Sequence, residues 1–133
     1  MVNVLHQPML AVFAVCAGAC VGALGRWGLA LWLNAHGPMP LGTLAANLIG
    51  GYLIGLCIGW FEAMPALAPV WRLALVTGFL GALTTFSSFS AEVVLMLQQQ
   101  RYGLALMTAG VHLLGSLALT AAGLKTAAVL IAR

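Results

Sequence analysis

Seven residues near the middle of the chain, TTFSSFS at residues 84–90, combine five hydroxyl groups with two phenyl rings. A hydroxyl can donate a hydrogen bond to an anion, and an aromatic ring has a positive edge that also attracts negative charge. Phe86 and Phe89 are three residues apart, which puts both rings on one face of a helix. Two phenylalanines at this spacing are also common in core packing, so the pattern alone leaves both roles open.

Glycines and hydroxyls around this stretch also predict a break in a helix. Gly78, Gly81 and Thr84 are residues at which a membrane helix can unwind, because hydroxyls can satisfy the freed backbone groups. We predict the break between Gly81 and Thr84. Unwound carbonyls at membrane depth are hard oxygen ligands for a small cation. The sequence therefore predicts a Na⁺ ion held by backbone carbonyls, without a cage of acidic side chains.

Two other sets of small and polar residues repeat at a four-residue step, which keeps each set on one helix face. The first set is Thr43, Asn47, Gly51, Gly55 and Gly59, and the second is Thr108, His112 and Ser116. Small residues at this step allow another helix to approach closely, and the polar members can bridge helices. Alternatively, the Asn47 amide and the hydroxyls can offer uncharged donors to an anion. No proton-relay role is assigned to His112.

Three charged residues lie within apolar stretches, where each is a functional candidate. Arg26 is predicted either to reach the lipid headgroups or to attract anions at the mouth of a vestibule. Glu92 is three residues from Phe89 but six from Phe86, so it does not share the phenylalanine face. It is predicted to be paired, near water or a coupling carboxylate. Lys125 lies close enough to the C-terminal end to reach the headgroups.

The segments that carry these residues are apolar and long. Of 133 residues, 63% are hydrophobic and 5% are charged, whereas a soluble domain carries about 25% charge. Runs of about 20 apolar residues span a bilayer, and they occur at residues 9–33, 41–61, 73–97 and 103–130. We predict one all-α domain over residues 1–133, a multi-pass protein of the cell membrane with four transmembrane helices, the third broken near its middle.

The charges give little orientation signal. With the N-terminus inside, Arg72, Lys125 and Arg133 lie on the inner side and Arg26 and Arg101 on the outer side. Lys and Arg excess orients membrane proteins, so a difference of three against two predicts a chain that can insert both ways. The formal charge of +3 comes from only five basic and two acidic residues, which provide no basic stripe for nucleic acid.

Three segments carry a family resemblance: GRW in the first span, GTLAANLIGG in the second and GFLGALTTFSSFS in the third. Together they resemble the Fluc (CrcB-type) fluoride channels over all four spans. The resemblance implies an antiparallel dual-topology homodimer with two pores. It implies a fluoride path along Asn47, Phe86, Phe89, Thr43, Ser88, His112 and Ser116, with Arg26 at the vestibule. It also implies a structural Na⁺ bound by the carbonyls of Gly81 and Thr84. Ala82 departs from the family, which often has glycine there.

The function implied is passive export of cytoplasmic fluoride in a bacterial plasma membrane, which protects the cell against fluoride toxicity. Two other classes remain open. A small dual-topology proton-coupled multidrug transporter also has four spans, but it needs a carboxylate, typically in the first span; here Glu92, in the third, is the intramembrane acid. A structural subunit of a larger complex would use its polar groups to bind helices. The sequence shows no nucleophilic side chain matched with a general base, so nothing in it predicts an enzyme.

Overall fold

Four segments long and apolar enough to span a membrane form the described part of the chain in this computed structural model. The structure describes residues 3–34 and 39–132. The helices are α1 (Asn3–Leu33), α2 (Leu41–Ala63), α3 (Pro69–Arg72), α4 (Gly81–Leu83), α5 (Phe86–Gln98) and α6 (Tyr102–Ile131). A π-helical segment, Leu73–Leu80, joins α3 to α4, so that α3 to α5 form the third span.

The four predicted spans are confirmed as Pro8–Leu33, Leu41–Ala63, Pro69–Gln98 and Tyr102–Ile131. The largest difference is at the start of the third span, which begins at Pro69 rather than at residue 73. Proline has no backbone N–H, and it suits the first position of a helix because an N–H there would have no partner within the helix. Residues 35–38 of the first connection and Arg133 lie outside the described residues.

Close helix contacts occur where glycines face a neighbouring backbone. A Cβ atom at Gly55 of α2 would lie 2.9 Å from the Leu124 nitrogen and 3.1 Å from the Gly123 Cα of α6. A Cβ at Gly78 of the π-helical segment would lie 3.2 Å from the Gly18 Cα of α1. Only glycine permits these approaches, which confirms the predicted close crossing along the second span.

The buried core is small, and large apolar side chains face outward. Ala46, Leu80 and Leu83 form the core cluster, at the centre of the bundle where α2 meets the third span. Outside it, Trp32 is 76% exposed and Leu106 is 77% exposed, as are many other large apolar residues to a lesser degree. A soluble protein rarely exposes so much apolar surface. In a bilayer these side chains contact lipid or another chain, which identifies a multi-pass membrane protein.

Candidate functional site

The third span is broken at Thr84 and Thr85. Both residues have extended backbones, with φ −81° and ψ 153° at Thr84 and φ −151° and ψ 117° at Thr85. The break was predicted in the range from Gly81 to Thr84; it begins at Thr84, the end of that range, and Gly81 keeps helical dihedral angles. The hydroxyls account for the position: the Thr84 hydroxyl donates to the Leu80 carbonyl at 2.9 Å, and Thr85 caps α5 by accepting from the Ser88 N–H at 3.2 Å.

Asn47 of α2 binds the backbone at the break. The Thr85 N–H donates to Asn47 Oδ1 at 2.8 Å, and Asn47 Nδ2 donates to the Thr85 carbonyl at 3.1 Å. Nδ2 is also 3.2 Å from His112 Nδ1 in α6. Backbone groups without partners in lipid are unfavourable, and one amide satisfies both groups of Thr85. The amide predicted to contact a ligand therefore also connects three helical segments.

The contact with Asn47 determines which nitrogen of His112 carries the proton. An amide nitrogen only donates, so His112 Nδ1 accepts and the ring proton lies on Nε2. His112 is 4% exposed, and among the described residues Nε2 has no hydrogen-bond partner. Phe89 stacks on the imidazole, with ring centroids 4.6 Å apart and an interplanar angle of 28°. The site thus contains a neutral, buried N–H donor that no acceptor in residues 3–34 and 39–132 uses.

The two phenylalanines are in contact, as a shared helix face predicted, and the structure shows that they meet edge to face. Their ring centroids are 5.5 Å apart and their planes cross at 61°. Phe89 is half-buried against His112, whereas Phe86, the first residue of α5, is 79% exposed. The exposed Phe86 ring projects beyond the chain's own packing.

These residues line one open groove of about 480 Å³ between α2, the third span and α6. Seven predicted site residues border it: Asn47, Gly81, Thr84, Phe86, Phe89, His112 and Ser116. They come from three different spans, so helix packing rather than sequence proximity brings them together. Thr43, Ser88 and Arg26 do not border this groove.

A second cavity, of about 310 Å³, lies next to Thr43 and contains Glu92. The Thr43 hydroxyl donates to Glu92 Oε1 at 2.6 Å. Glu92 Oε2 is buried and has no partner among the residues that the structure describes. Thr43 is one helical turn from Asn47, so the Thr43–Glu92 hydrogen bond lies on the same face of α2 as the Asn47 contacts. The sequence argument left the role of Glu92 open and placed it off the face shared by Phe86 and Phe89; with Phe89 alone, a three-residue spacing does put it on one face of α5.

Ser88 and Arg26 both contact the break. The Thr85 hydroxyl donates to the Ser88 hydroxyl at 3.1 Å. Arg26 is half-buried, and its Nε donates to the Ala82 carbonyl at 3.0 Å. In a continuous helix that carbonyl would accept from Phe86, which the break moves away. The structure therefore gives Arg26 a backbone contact within the bundle, in addition to any part in a vestibule.

The carbonyls of Gly81 and Thr84 have lost their helical donors. In a continuous helix the Thr85 N–H would reach Gly81 and the Ser88 N–H would reach Thr84. Here these donors bind Asn47 and the Thr85 hydroxyl instead. Both residues border the groove. Two carbonyl oxygens released in this way fit a hard cation such as Na⁺. No cluster of three His, Cys, Asp or Glu side chains that could hold a metal occurs in residues 3–34 and 39–132.

A third cavity, of about 220 Å³, lies at the other end of the groove. It shares Ile54 and Val76 with the groove and is bordered by Glu62 and Arg72. The Arg72 guanidinium lies 5.2 Å from the centroid of the Phe61 ring. A series of cavities therefore follows α2 from the region of Glu92 to that of Arg72.

The fold and site define a small multi-pass membrane protein with a line of polar groups between its helices. Residues 13–124 match the family model described as CrcB-like protein, Camphor Resistance (CrcB). The chain belongs to this family, which confirms the resemblance to the Fluc (CrcB-type) channels.

Curated relatives agree with this assignment over nearly the whole chain. The fluoride-specific ion channel FluC of Albidiferax ferrireducens is 69% identical over 124 residues, which cover 93% of this chain and 95% of that protein. The protein of the same name from Variovorax paradoxus is 64% identical over 118 residues, 89% of this chain and 94% of that protein. That from Pseudomonas putida is 58% identical over 116 residues, 86% of this chain and 91% of that protein.

Proposed function

We propose that this chain forms a fluoride-selective channel that exports cytoplasmic fluoride passively across the bacterial plasma membrane. The observation that carries the proposal is that His112, which lines the groove and stacks on Phe89, has a buried Nε2–H with no acceptor among the described residues. Fluoride is a small anion that needs hydrogen-bond donors when it leaves water. The relatives from Albidiferax ferrireducens and Variovorax paradoxus are named fluoride-specific ion channels.

Conduction requires binding that is strong enough for entry and weak enough for release. The groove meets this condition with neutral groups: the His112 N–H, the Ser116 hydroxyl and the edges of Phe86 and Phe89. From the groove the proposed path continues through Thr43, which binds Glu92 at the wall of the second cavity, and Ser88 contacts fluoride near the start of α5. Fluoride enters a cell as its neutral weak acid and dissociates in the less acidic interior. The membrane potential then drives the trapped anion out through the channel and lowers its toxicity.

An antiparallel dual-topology homodimer with two pores is the assembly that we propose. The groove is open along one side, and Phe86 at its edge is 79% exposed. A second copy over this side would enclose the path and bury the ring. The weak Lys and Arg bias agrees with insertion in both orientations.

We also propose a structural Na⁺ that is not transported and that binds the Gly81 and Thr84 carbonyls. Its support is the diversion of both helical donors described above. In an antiparallel dimer, the two carbonyls of each subunit would meet those of its partner. Na⁺ held by these carbonyls would supply positive charge at the broken helices, while Asn47 and Arg26 bind the Thr85 and Ala82 carbonyls.

The main alternative, a proton-coupled multidrug transporter, has one observation in its favour. Glu92 has a buried oxygen without a described partner and borders a cavity, as a carboxylate that exchanges protons would. A transport assay with both substrates separates the two functions.

The decisive experiment uses purified protein in liposomes with an outward K⁺ gradient and valinomycin, with fluoride and chloride electrodes outside. We expect rapid fluoride loss on addition of valinomycin, with chloride retained, because the neutral donors suit only a small anion. Protein-free liposomes are the control. Proton-coupled uptake of an organic cation without fluoride loss would instead establish the transporter.

Replacement of Phe86 or Phe89 by isoleucine is expected to slow fluoride flux about tenfold. An edge-to-face aromatic pair contributes about 0.5–1.5 kcal/mol beyond its buried area, we assign a ring edge facing an anion the same order, and about 1.4 kcal/mol corresponds to a factor of ten. Isoleucine retains the apolar volume but has no positive edge. The measurement is the initial fluoride efflux rate per reconstituted dimer.

The matched control for the rings is Phe13→Ile. Phe13 is an exposed phenylalanine on α1 that borders none of the three cavities. Its variant should conduct like the parent chain. Unchanged flux in both Phe86→Ile and Phe89→Ile would rule out the aromatic-edge mechanism.

A further inference from the structure

A charged side chain that the proposed path has not used, Arg101, borders the second cavity together with Glu92. We propose that Arg101 recruits fluoride to this cavity and so determines the rate of anion entry at low ionic strength. The inference rests on the proposed fluoride channel. It assigns the mouth of the path to the connection between α5 and α6.

A tight turn places Arg101 at the rim. Gln100 has a left-handed backbone with φ 59°. The Arg101 N–H donates to the Met96 carbonyl at 2.9 Å, and the Gln100 N–H donates to the Leu97 carbonyl at 3.0 Å. These two bonds are the pair that closes a helix in a Schellman motif. The backbone of Arg101 is therefore anchored to the end of α5, and its exposed side chain is held beside the cavity.

The electrostatic potential in the second cavity depends mainly on two side chains, Arg101 and Glu92. The start of α2, at Met39 and Pro40, and the end of α5, at Gln99, both border it. These helix ends have dipoles of opposite sign, so they offset each other. The charged side chains on the wall are then Arg101, exposed at the rim, and Glu92, half-buried and held by Thr43. An anion that arrives from water meets the positive group first.

The other arginines near the path have different surroundings. Arg26 is half-buried and its Nε is bound to the Ala82 carbonyl. Arg72 lies over the Phe61 ring at the opposite cavity. Arg101 is the arginine that borders the cavity containing Glu92. Substitutions that change the charge of this residue therefore test the proposal.

The test measures fluoride efflux from liposomes for the parent chain, Arg101→Lys, Arg101→Gln and Arg101→Glu. Each is assayed at an ionic strength of about 0.01 M and about 1 M, where the Debye length is about 30 Å and about 3 Å. Lys125→Gln is the matched control, because Lys125 is exposed and borders none of the three cavities. Inert salts adjust the ionic strength, and Na⁺ is kept constant.

At low ionic strength we expect Arg101→Gln to lower the flux about threefold or more and Arg101→Glu to lower it further, since local charge changes ion concentration. Arg101→Lys and Lys125→Gln should match the parent chain, and all rates should converge at high ionic strength. Equal losses at both ionic strengths, no loss at all, or the same loss in Lys125→Gln would overturn the inference. A parent chain that conducts no fluoride would instead refute the proposed function.

Discussion

Replacement of Asn47 by alanine is expected to destabilise the folded chain and to reduce fluoride flux at least tenfold. The Asn47 amide satisfies both backbone groups of Thr85 and contacts His112. A buried polar group without a partner costs about 1–3 kcal/mol, and alanine leaves two such groups at the break. Loss of the His112 contact also frees the ring from its fixed tautomer. Thermal unfolding in detergent and efflux from liposomes measure the two effects.

Tyr52→Phe is the matched control for this substitution. Tyr52 also lies on α2, and its hydroxyl donates one hydrogen bond, to Thr126 at 3.2 Å, away from the three cavities. Its removal should lower stability by about 1 kcal/mol and leave flux unchanged. If Asn47→Ala had no larger effect on stability and flux than Tyr52→Phe, Asn47 would not be holding the break.

Complete replacement of Na⁺ by a large organic cation is expected to abolish fluoride flux and to destabilise the dimer. The carbonyls of Gly81 and Thr84 lack their helical donors, and in lipid such groups need another partner. A ligand present at about 100 times its Kd stabilises the bound state by about 2.7 kcal/mol. Fluoride efflux after dialysis measures whether flux depends on Na⁺. The midpoint of thermal unfolding, followed during a Na⁺ titration, gives the affinity of the site for Na⁺.

A side-chain variant separates a carbonyl site from a hydroxyl site. Thr84→Val removes the hydroxyl that donates to Leu80 but retains the Thr84 carbonyl. The variant is expected to retain the Na⁺ dependence of the parent chain, because the proposed ligands belong to the backbone. Flux and stability that are indifferent to complete Na⁺ removal in the parent chain would show that the carbonyl site is wrong.

The predictions for individual residues are confirmed where they depend on the local sequence alone. The limits of α2, residues 41–61 in prediction and Leu41–Ala63 in the structure, follow from a run of apolar residues. The contact between Phe86 and Phe89 follows from helical spacing. The break begins at the end of the predicted range because glycine permits unwinding without requiring it, whereas Thr84 and Thr85 form the capping bonds that end one helix and begin the next.

The role of Glu92 could not be obtained from the pattern within its own helix. Its distance in sequence from Phe86 suggested a different face from the phenylalanines. The structure pairs it with Thr43, 49 residues away. That contact depends on how α2 and α5 rotate against each other, and no local pattern specifies such a rotation.

The sequence by itself determined the four membrane spans, the interrupted third span and the family. Hydrophobic length decides the spans because a helix must satisfy its own backbone across the hydrocarbon core. Only the tertiary structure decided that Asn47 binds Thr85, 38 residues away, and that His112, stacked on Phe89, has an N–H without an acceptor in the described part of the chain. These contacts form where helices cross closely at small residues. A shift of one helix by about the width of a side chain would change which residues meet at such a crossing.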